Sequence, residues 1–554
     1  MINSERPPTT PIAMILGAGH GTRLQGVTKG LPKALVDVAG TPALLWIIAS
    51  LLKNGVHDYV IVVSPLAERS VQRMCERTLS GIDMQWQLAV QEDPLGPGQA
   101  VAEGLRKVDA GRGVLVALCD TLFDESLPFD QDWVGIAEPR GFGGWCWAES
   151  QGNLLKRLYD KITPPRGVID VLIGLYFFED DAALRCAVNE AVSERTNKSG
   201  EIQISWAIER YMNYRDIHVH LIDTWVDCGT QENWLQANEK MFRHRHTHEL
   251  YLRHDDNGVR IVKDTGNSDQ LSAEVEWFSQ VGKVASDLIP SVSVTGVTEY
   301  ESTYLEMKLL STMYLYEAGG DKAVVDHAAS LLTTLSERLW PHASSVNGVD
   351  MRRACAQMYQ QKPAERLVQW SQWERICGLD RLVVNGRVID NLVTFLRANV
   401  LDWRRYQGME KPGWIHGDLH FGNIFFDSLS KSFKLIDPRG QFGAMRGPMG
   451  DVYYDLAKLR HSYAGMYDAI VAGLFDLKCN WKFGLFELQI GPDRREAASE
   501  LDALIVQLGF DLSHVKLLEV GIFLSLIPMH KEDLRRQFAF LIRALHLLLD
   551  LCDI

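Results

Sequence analysis

The chain has 554 residues, of which 46% are hydrophobic and 23% are charged, and its formal net charge is -14. This length exceeds what a single hydrophobic core usually serves, so we expect two or three domains. The acidic balance argues against a general nucleic-acid binder, which would present a basic surface. It does not argue against a nucleotide-binding protein, because a few backbone N–H groups and cations suffice for a phosphate.

Cysteine usage and the apolar segments bear on the location of the protein. Residues 1–10 are rich in Pro and Thr, contain no apolar signal core and are predicted to be a flexible leader. The nine cysteines are scattered without a CxxC pair, as expected for reduced thiols. The apolar stretch 520–529 is too short for a membrane span and is predicted to be a buried helix. We therefore predict a cytoplasmic protein with no membrane or nucleic-acid partner.

From residue 11 to about residue 242, short apolar runs alternate with helical patterns. Strands are predicted over 12–16, 59–63, 114–118 and 224–226, and helices over 43–54, 68–79 and 233–242. Such alternation is typical of a doubly wound, mainly parallel α/β sheet, which binds its ligands at the carboxyl ends of the strands.

The polar segment 243–249 follows this first domain. Its alternating histidines could indicate a metal site, but no Cys or acidic cluster lies beside them, so a solvated linker is favoured. The remainder, 250–554, is predicted to form a second domain with two lobes. The small lobe (about 250–308) is β-rich and the large lobe (about 309–554) is helical.

Within the small lobe, a hairpin is predicted from two strands over 249–253 and 259–263. A helix that carries Glu274 and Glu276 follows, and then a strand-like run over 304–307. This order of elements is the basis for the predicted two-lobed arrangement.

A glycine-rich loop follows the first predicted strand. Gly17, Gly19 and Gly21 would let the backbone approach a phosphate chain that bulkier residues exclude. The loop alone is also compatible with an ordinary turn or with a dinucleotide-binding loop. Arg23 directly after it can bind the leaving β- and γ-phosphates, and Lys33 behind Pro32 supplies a second cation. A dinucleotide-binding loop needs neither cation.

Together with later segments, this loop resembles the sugar-phosphate nucleotidylyltransferase family over residues 11–240. The resemblance implies a Rossmann-like nucleotidyltransferase domain that takes a nucleoside triphosphate, with Arg23 and Lys33 as catalytic cations. It implies that the nucleotide is bound by Gly17, Gly19, Gly21, Thr22 and Gln99. It implies acceptor contacts from Lys161, Gly174 and Glu201, and a Mg²⁺ cofactor held by Asp120 and Asp227.

One departure from the family pattern leaves the substrates open. Only residues 25–30 separate Leu24 from Leu31-Pro32-Lys33. This short spacer is as similar to phosphocholine and phosphonate cytidylyltransferases as to hexose-1-phosphate enzymes. The sequence therefore does not choose the acceptor or the base.

A second signature lies in the C-terminal half. Asp418 follows His416-Gly417, Asn423 comes five residues later, and Asp437 another fourteen residues on. Transfer of a γ-phosphoryl group needs an Asp that orients or deprotonates the attacking hydroxyl, and an Asn and an Asp that hold Mg²⁺ on the triphosphate. The spacing of this set predicts a phosphotransfer site.

This half resembles the aminoglycoside phosphotransferase and choline kinase family, distant relatives of protein kinases. The resemblance implies a bilobal, protein-kinase-like α+β domain that uses ATP or GTP on a small hydroxylated acceptor. Asp418 would be the catalytic base, and Asn423 and Asp437 the metal ligands. Lys263 is the best candidate for the lysine on the α- and β-phosphates, and Glu274 is favoured over Glu276 as its partner.

The leading hypothesis is a bifunctional enzyme. The C-terminal domain would phosphorylate a sugar or small alcohol, and the N-terminal domain would couple the product to a nucleotidyl group, giving an activated precursor for surface polysaccharide or lipid-head-group synthesis. One alternative is a nucleotidylyltransferase, such as a cytidylyltransferase of a phosphocholine- or phosphonate-like acceptor, with a non-catalytic kinase-like module. A scaffold with neither activity is the third alternative. An oligomer is compatible with each.

Overall fold

The computed structural model describes residues 10–19, 24, 31–93, 95–139, 144–194, 201–243, 249–255, 258–305, 307–317, 320–343 and 347–552. The chain divides into two compact units, Met1–His244 and Arg245–Ile554. The boundary between them falls in the segment predicted to be a linker. Most of that segment, and all but the last residue of the predicted leader, lie outside the described residues.

The elements of the first unit alternate along the chain. Its strands are β1 (Ile12–Leu16), β2 (Asp37–Val38), β3 (Thr41–Pro42), β4 (Asp58–Val63), β5 (Gln85–Val90), β6 (Val114–Leu118), β7 (Thr121–Leu122), β8 (Trp133–Ala137), β9 (Cys146–Gln151), β10 (Leu154–Asp160), β11 (Asp170–Phe178), β12 (His218–Leu221) and β13 (Val226–Asp227). Its helices are α1 (Ala43–Lys53), α2 (Glu68–Thr78), α3 (Pro97–Leu105), α4 (Asp181–Glu194), α5 (Ile204–Tyr211) and α6 (Gln231–Arg243).

The main sheet of the first unit has nine strands in the order β5-β4-β1-β6-β11-β8-β12-β10-β9. Strands β5, β4, β1 and β6 are parallel, and Leu16 at the end of β1 lies beside Leu118 at the end of β6. Strands β1 and β4 are almost entirely buried, which explains why they read as continuous apolar runs. The loops after β1 and β6 therefore emerge side by side at one edge of the sheet.

The prediction of a mainly parallel sheet was wrong for most of the second half of this sheet, in which β12 and β8 are parallel but the other pairings are antiparallel. Strand β11 is antiparallel to both β6 and β8, and β10 is antiparallel to β9 and β12. The segments that join β9, β10 and β11 contain no helix, and such short connections can only return the chain antiparallel. The predicted strand over 224–226 is displaced to β13, which pairs with β7 outside the main sheet.

The second unit begins with a four-stranded antiparallel sheet. Its strands are β14 (Glu249–Asp255), β15 (Gly258–Asp264), β16 (Val292–Val294) and β17 (Glu299–Thr303), in the order β14-β15-β17-β16. Helix α7 (Ser268–Ala285) follows β15, and the Asn267 side chain caps it by accepting from the N–H groups of Asp269 and Gln270. The Trp277 and Phe278 side chains on this helix are buried in the core.

The remaining chain contains helices and short strands. The helices are α8 (Leu310–Tyr316), α9 (Gly320–Arg338), α10 (Gly348–Ala356), α11 (Lys362–Gln369), α12 (Trp373–Cys377), α13 (Leu392–Asn399), α14 (Val452–Tyr463), α15 (Tyr467–Val471), α16 (Arg495–Gln507), α17 (Leu512–Leu526) and α18 (Leu534–Cys552). The strands are β18 (Lys308–Leu309), β19 (Arg381–Val384), β20 (Arg387–Asp390), β21 (Pro412–Trp414), β22 (Ile424–Asp427), β23 (Ser432–Leu435), β24 (Gln441–Phe442), β25 (Met445–Arg446), β26 (Met449–Asp451), β27 (Phe475–Asn480) and β28 (Leu485–Ile490).

Two expectations for this unit need correction. The predicted strand over 304–307 was wrong, because β17 ends at Thr303 and the next strand is β18, which pairs with β22 in a different sheet. The part after residue 309 also contains more strands than predicted, including the four-stranded sheet β20-β19-β28-β27. These strands are only two to six residues long, so their alternation is too brief to stand out in the sequence.

Helix α17 lies in the core of the second unit, with a short 3₁₀ turn over Ile527–Met529 after it. Among the described residues, Leu512–Met529 is long and apolar enough to cross a membrane by length and composition alone, and 72% of it is buried inside the protein. The buried helix predicted over 520–529 is thus present, with its last turn wound more tightly around Pro528.

A buried cluster of one arginine and two carboxylates links three helices of this core. Arg460 on α14 binds both carboxylate oxygens of Asp502 on α16, at 2.9 Å each, and also binds Glu519 on α17. Arg460 is only 6% exposed and Glu519 is fully buried.

We expect Arg460→Met to lower the free energy of unfolding of this unit by about 3–5 kcal/mol, because Glu519 would remain buried without its partner. Urea denaturation followed by circular dichroism measures the effect. The control is Lys322→Met, which removes an exposed pair with Asp326 and should change stability by less than about 0.5 kcal/mol. Equal midpoints for both variants would contradict the assigned role.

Candidate active sites

The first candidate site begins where β1 ends. The Gly17 N–H donates to the Val62 carbonyl at 2.7 Å, and a Cβ on Gly17 would lie 3.1 Å from that of Ala34. Gly19 lies next to the Lys33 side chain. Gly17 therefore allows the loop to pack closely against the segment that carries Lys33. Gly21, Thr22 and Arg23 lie outside the described residues, so their roles stay predictions.

Two aspartates, far apart in the chain, meet at this edge of the sheet. Asp120 follows β6, and Asp227 lies opposite Thr121 in the short pairing of β7 with β13. A Cβ on Gly229 would touch Asp120 Oδ2 and would lie 3.1 Å from Asp227 Oδ1. Both carboxylates thus border one small space, which only a glycine at 229 leaves open.

Lys33 is the cation of this cluster. Its Nζ lies 2.5 Å from Asp120 Oδ2, and both side chains are largely buried. Burial alone would lower the pKa of Lys33, but the Asp120 carboxylate outweighs that effect and raises it. Burial and then Asp120 raise the pKa of Asp227, although the Gly229 N–H and the Asn233 amide donate to it. The carboxylates therefore repel each other, and a cation between them would relieve that repulsion.

Gln99, predicted to bind the nucleotide, and Glu201, predicted to contact the acceptor, lie in neighbouring segments. Gln99 is in the first turn of α3, and its amide donates to Glu103 at 2.8 Å. The start of this helix and Gly96 before it pack on the chain around Ile202. The Gly98 N–H donates to the Ile202 carbonyl at 2.8 Å, and a Cβ on Gly96 would lie 2.9 Å from that of Glu201. The two segments thus form one wall, on which Glu201 is exposed.

The other two predicted acceptor residues lie in different surroundings. Gly174 is buried in β11 with φ of +88°, and a Cβ there would lie 2.8 Å from Thr121 Oγ1. A glycine is required at this position because of its positive φ and its close packing against Thr121, which follows Asp120. Lys161 is exposed at the end of β10. Within the described residues, no hydrogen bond or ion pair joins Lys161 to Lys33, Asp120 or Asp227, so its role stays a prediction.

The second candidate site is built around Lys263 in β15. Its Nζ lies 2.8 Å from one Glu274 oxygen and 3.0 Å from the other. The Tyr300 hydroxyl and the Gln270 amide also donate to Glu274. The sequence could not separate Glu274 from Glu276 decisively, and the structure places Glu274 as the partner of Lys263.

Lys263 also contacts Asp437, which precedes a loop held against α7. Asp437 has φ of +59°, and Lys263 Nζ binds its carboxylate. Gly440 has φ of +67°, and its Cα lies so close to α7 that a Cβ would lie 2.7 Å from the Glu274 N–H nitrogen. This close approach fixes the Asp437 loop next to the Lys263–Glu274 pair.

The loop that carries Asp418 is anchored by a buried aspartate. Asp455 on α14 accepts hydrogen bonds from the backbone N–H groups of His416 and Gly417, at 2.8 Å each. The Asn423 amide donates to the Asp418 carbonyl at 3.0 Å. Burial raises the pKa of Asp455 to about 7, although the two N–H groups act in the opposite direction. The loop geometry therefore depends on a side chain from a different segment.

Lys458 is a site residue to which the sequence analysis assigned no role. Lys458 lies on α14, one helical turn after Asp455, and its Nζ lies 2.7 Å from Asp418 Oδ1. Burial alone would raise the pKa of Asp418, but the Lys458 ammonium outweighs it and holds that pKa well below its ordinary value. His420 Nε2 lies 3.7 Å from the other Asp418 oxygen, and burial lowers the pKa of His420 to about 4. Asp418 is therefore ionised next to a neutral histidine.

Comparison with known proteins bears on the first unit. Residues 13–127 match the family model of the MobA-like NTP transferase domain. Over 243 residues, the chain is 27% identical to glucose-1-phosphate thymidylyltransferase of Xanthomonas campestris, covering 40% of this chain and 78% of that protein. The enzyme of the same name from Mycobacterium tuberculosis is 25% identical over 240 residues, covering 40% of this chain and 80% of that protein.

A solved structure of UDP-glucose pyrophosphorylase from Acinetobacter baumannii is also similar, with 18% identity, a TM-score of 0.35, and coverage of 42% of this chain and 93% of that one. At that score it adds no argument. The family model and the curated relatives support one conclusion: the N-terminal half of the chain is a nucleotidyltransferase.

Proposed function

We propose that this chain is a bifunctional enzyme that phosphorylates a small hydroxylated acceptor and then couples the phosphate to a nucleotide. The observation that carries the second activity is the grouping in the C-terminal unit. Lys263 contacts Glu274 and Asp437, from two different segments, while Asn423 holds the loop of Asp418. These are the residue types that γ-phosphoryl transfer requires.

At the N-terminal site, the acceptor phosphate is already an anion, so no general base is needed. A phosphate oxygen attacks the α-phosphorus, a new P–O bond forms, and the bond from the α-phosphorus to the bridging oxygen breaks, releasing pyrophosphate. Lys33 and Arg23 would offset the negative charge that develops on the leaving group. The curated relatives are named for glucose 1-phosphate and a thymidylyl group, so a sugar 1-phosphate is the acceptor class that we favour.

Mg²⁺ fits the donors at both sites. Asp120 and Asp227 present carboxylate oxygens to the space beside Gly229, and Asp437 and Asn423 offer oxygens in the second unit. Mg²⁺ is commonly bound by one or two carboxylates together with substrate phosphates, and when bound it would neutralise phosphate charge. Lys33 contacts Asp120, and Lys263 contacts Asp437, so each proposed metal site has a cationic side chain beside it.

At the C-terminal site, Lys263 would bind the α- and β-phosphates of ATP or GTP. The acceptor oxygen forms a bond to the γ-phosphorus, the bond from that phosphorus to the β–γ bridging oxygen breaks, and the nucleoside diphosphate leaves. Asp418 orients the acceptor hydroxyl and receives its proton, which then passes to solvent. This step makes the phosphate that the N-terminal site consumes, so the later domain acts first.

We further propose a cytoplasmic enzyme that supplies an activated precursor for surface polysaccharide.

A matched pair of glycine variants tests the N-terminal site. We expect Gly229→Ala to lower pyrophosphate release from dTTP or UTP with glucose 1-phosphate by at least about 100-fold, because its methyl group would contact both carboxylates. Gly144→Ala is the control, since no described residue lies within 4 Å of a Cβ at that position. Thermal melting should be similar for both. Full activity in Gly229→Ala would contradict the proposed metal position.

Phosphate transfer from [γ-³²P]ATP to a panel of sugars, polyols and their acidic derivatives tests the C-terminal site. We expect transfer to at least one acceptor, and Asp418→Asn should reduce it by at least about 1,000-fold without changing pyrophosphate release. Asp326→Asn, at an exposed position on α9, is the control. Absence of transfer by the wild-type protein would favour the non-catalytic module.

The pH dependence of this transfer tests the role of Lys458. Lys458→Met leaves Asp418 largely enclosed without its cation, so the pKa of Asp418 should rise. The variant should lose kcat/KM as the pH falls from about 7 to about 5, where the wild type stays ionised at Asp418. Lys322→Met should keep the wild-type profile. Superimposable profiles for Lys458→Met and the wild type would disprove this electrostatic role.

A further inference from the structure

Asn233, in the first turn of α6, contacts one of the two proposed metal ligands of the N-terminal site. Its side-chain amide donates to Asp227 Oδ2, and the Gly229 N–H donates to Asp227 Oδ1 at 2.9 Å. Asn233 is buried, with only 3% of its surface exposed. The proposed nucleotidyl transfer assigns no role to this side chain.

The charge of Asp227 determines which end of the Asn233 amide faces it. A carboxylate accepts hydrogen bonds and repels a carbonyl oxygen, so the NH₂ group faces Asp227. The carbonyl oxygen at the other end, Asn233 Oδ1, is buried, and no residue that the structure describes donates to it. Leaving a buried acceptor without a donor costs free energy, and this cost is relieved when a ligand brings a donor to the acceptor.

The helix that carries Asn233 is anchored to another segment of the first unit. The Trp234 indole N–H donates to the Asp37 carbonyl at 2.7 Å. One turn after Trp234, the Asn238 side-chain oxygen accepts from the Ala39 N–H, also at 2.7 Å. These contacts fix the start of α6, so the Asn233 side chain extends toward Asp227 from an anchored backbone.

The two proposed metal ligands have partners of different charge. Asp120 contacts the Lys33 ammonium. The two groups that donate to Asp227, one backbone N–H and one side-chain amide, are neutral. Neutral donors orient a carboxylate without cancelling its charge, and two hydrogen bonds leave part of its roughly four acceptor positions for a cation. Asp227 is therefore held in one orientation and still carries the charge that attracts a metal ion.

We propose that Asn233 is a positioning residue for the metal site of the nucleotidyltransferase unit. Its NH₂ group orients Asp227 for the cation, and its carbonyl oxygen accepts a hydrogen bond from a water on that cation. Mg²⁺ usually keeps several waters in protein sites, and such waters are donors. This inference rests on the proposed Mg²⁺ site. Removal of a group that orients a metal ligand typically weakens metal binding by about 10- to 100-fold, which sets the size of the expected effect.

Nucleotide binding with and without a metal ion tests this role in the absence of turnover. Isothermal titration calorimetry on the full chain uses the α,β-methylene analogues of dTTP, UTP and CTP, in Mn²⁺ and in EDTA. In Mn²⁺, Asn233→Ala should bind the analogue preferred by the wild type at least about tenfold more weakly than the wild type does. In EDTA the two proteins should bind it equally. Asn233→Leu, which keeps the volume of the side chain, should show the same difference.

Asn238→Ala is the matched control for the integrity of α6. Asn238 lies on the same helix, and its side chain contacts the backbone of Ala39 and Trp234 instead of a carboxylate. This variant should melt at a lower temperature than the wild type and keep the wild-type affinity for the analogue in Mn²⁺.

The Mg²⁺ dependence of pyrophosphate release gives a second reading. Asn233→Ala should raise the Mg²⁺ concentration for half-maximal rate about tenfold, recover most of the wild-type rate at saturating Mg²⁺, and leave the KM of glucose 1-phosphate unchanged. Wild-type binding in both Asn233 variants, equal weakening in Mn²⁺ and EDTA, or the same loss in Asn238→Ala would overturn this inference alone. Analogue binding by the wild type that does not depend on Mn²⁺ would overturn the proposed metal site, and this inference with it.

Discussion

Each candidate site depends on lysine–carboxylate contacts that offset a local excess of charge. Lys33 lies against Asp120, Lys263 bridges Glu274 and Asp437, and Lys458 holds Asp418. Carboxylates this enclosed would otherwise repel each other and take up protons. Both proposed reactions bring a further anion, a triphosphate, to these places. The lysine contacts therefore offset part of this repulsion, and at Asp418 the Lys458 ammonium holds the pKa of the carboxyl well below its ordinary value.

Close backbone packing makes these contacts possible. Gly229 leaves space between Asp120 and Asp227, and Gly440 lets the Asp437 loop touch the helix that carries Glu274. Asp455 fixes the Asp418 loop through two backbone N–H groups. In each case a residue without a chemical role in the reaction determines where a reactive side chain lies. The same logic extends to Asn233, whose amide contacts Asp227.

Local signals in the sequence predicted much of this arrangement. The first parallel strands and the helix with Glu274 follow from periodicity within short stretches, whereas the pairing of Lys263 with a glutamate on that helix was an expectation from the family resemblance. What could not be predicted depends on distant pairing. The antiparallel pairings of β11 and β10 in the first sheet, the break after Thr303, and the contact of Lys458 with Asp418 are set by tertiary packing. A lysine on a helix reads as a solvated side chain unless its neighbours in space are known.

The central claim is that one chain makes a phosphate at its C-terminal site and consumes it at its N-terminal site. The most direct test supplies the full chain with ATP carrying ¹⁸O in the terminal phosphate, an unphosphorylated acceptor and a second nucleoside triphosphate. Mass spectrometry then locates the label. We predict a nucleotide-linked product that retains the labelled oxygens in the phosphate attached to the acceptor. A nucleotide-linked product that forms only from an added phosphorylated acceptor, and never carries the label, would contradict the claim.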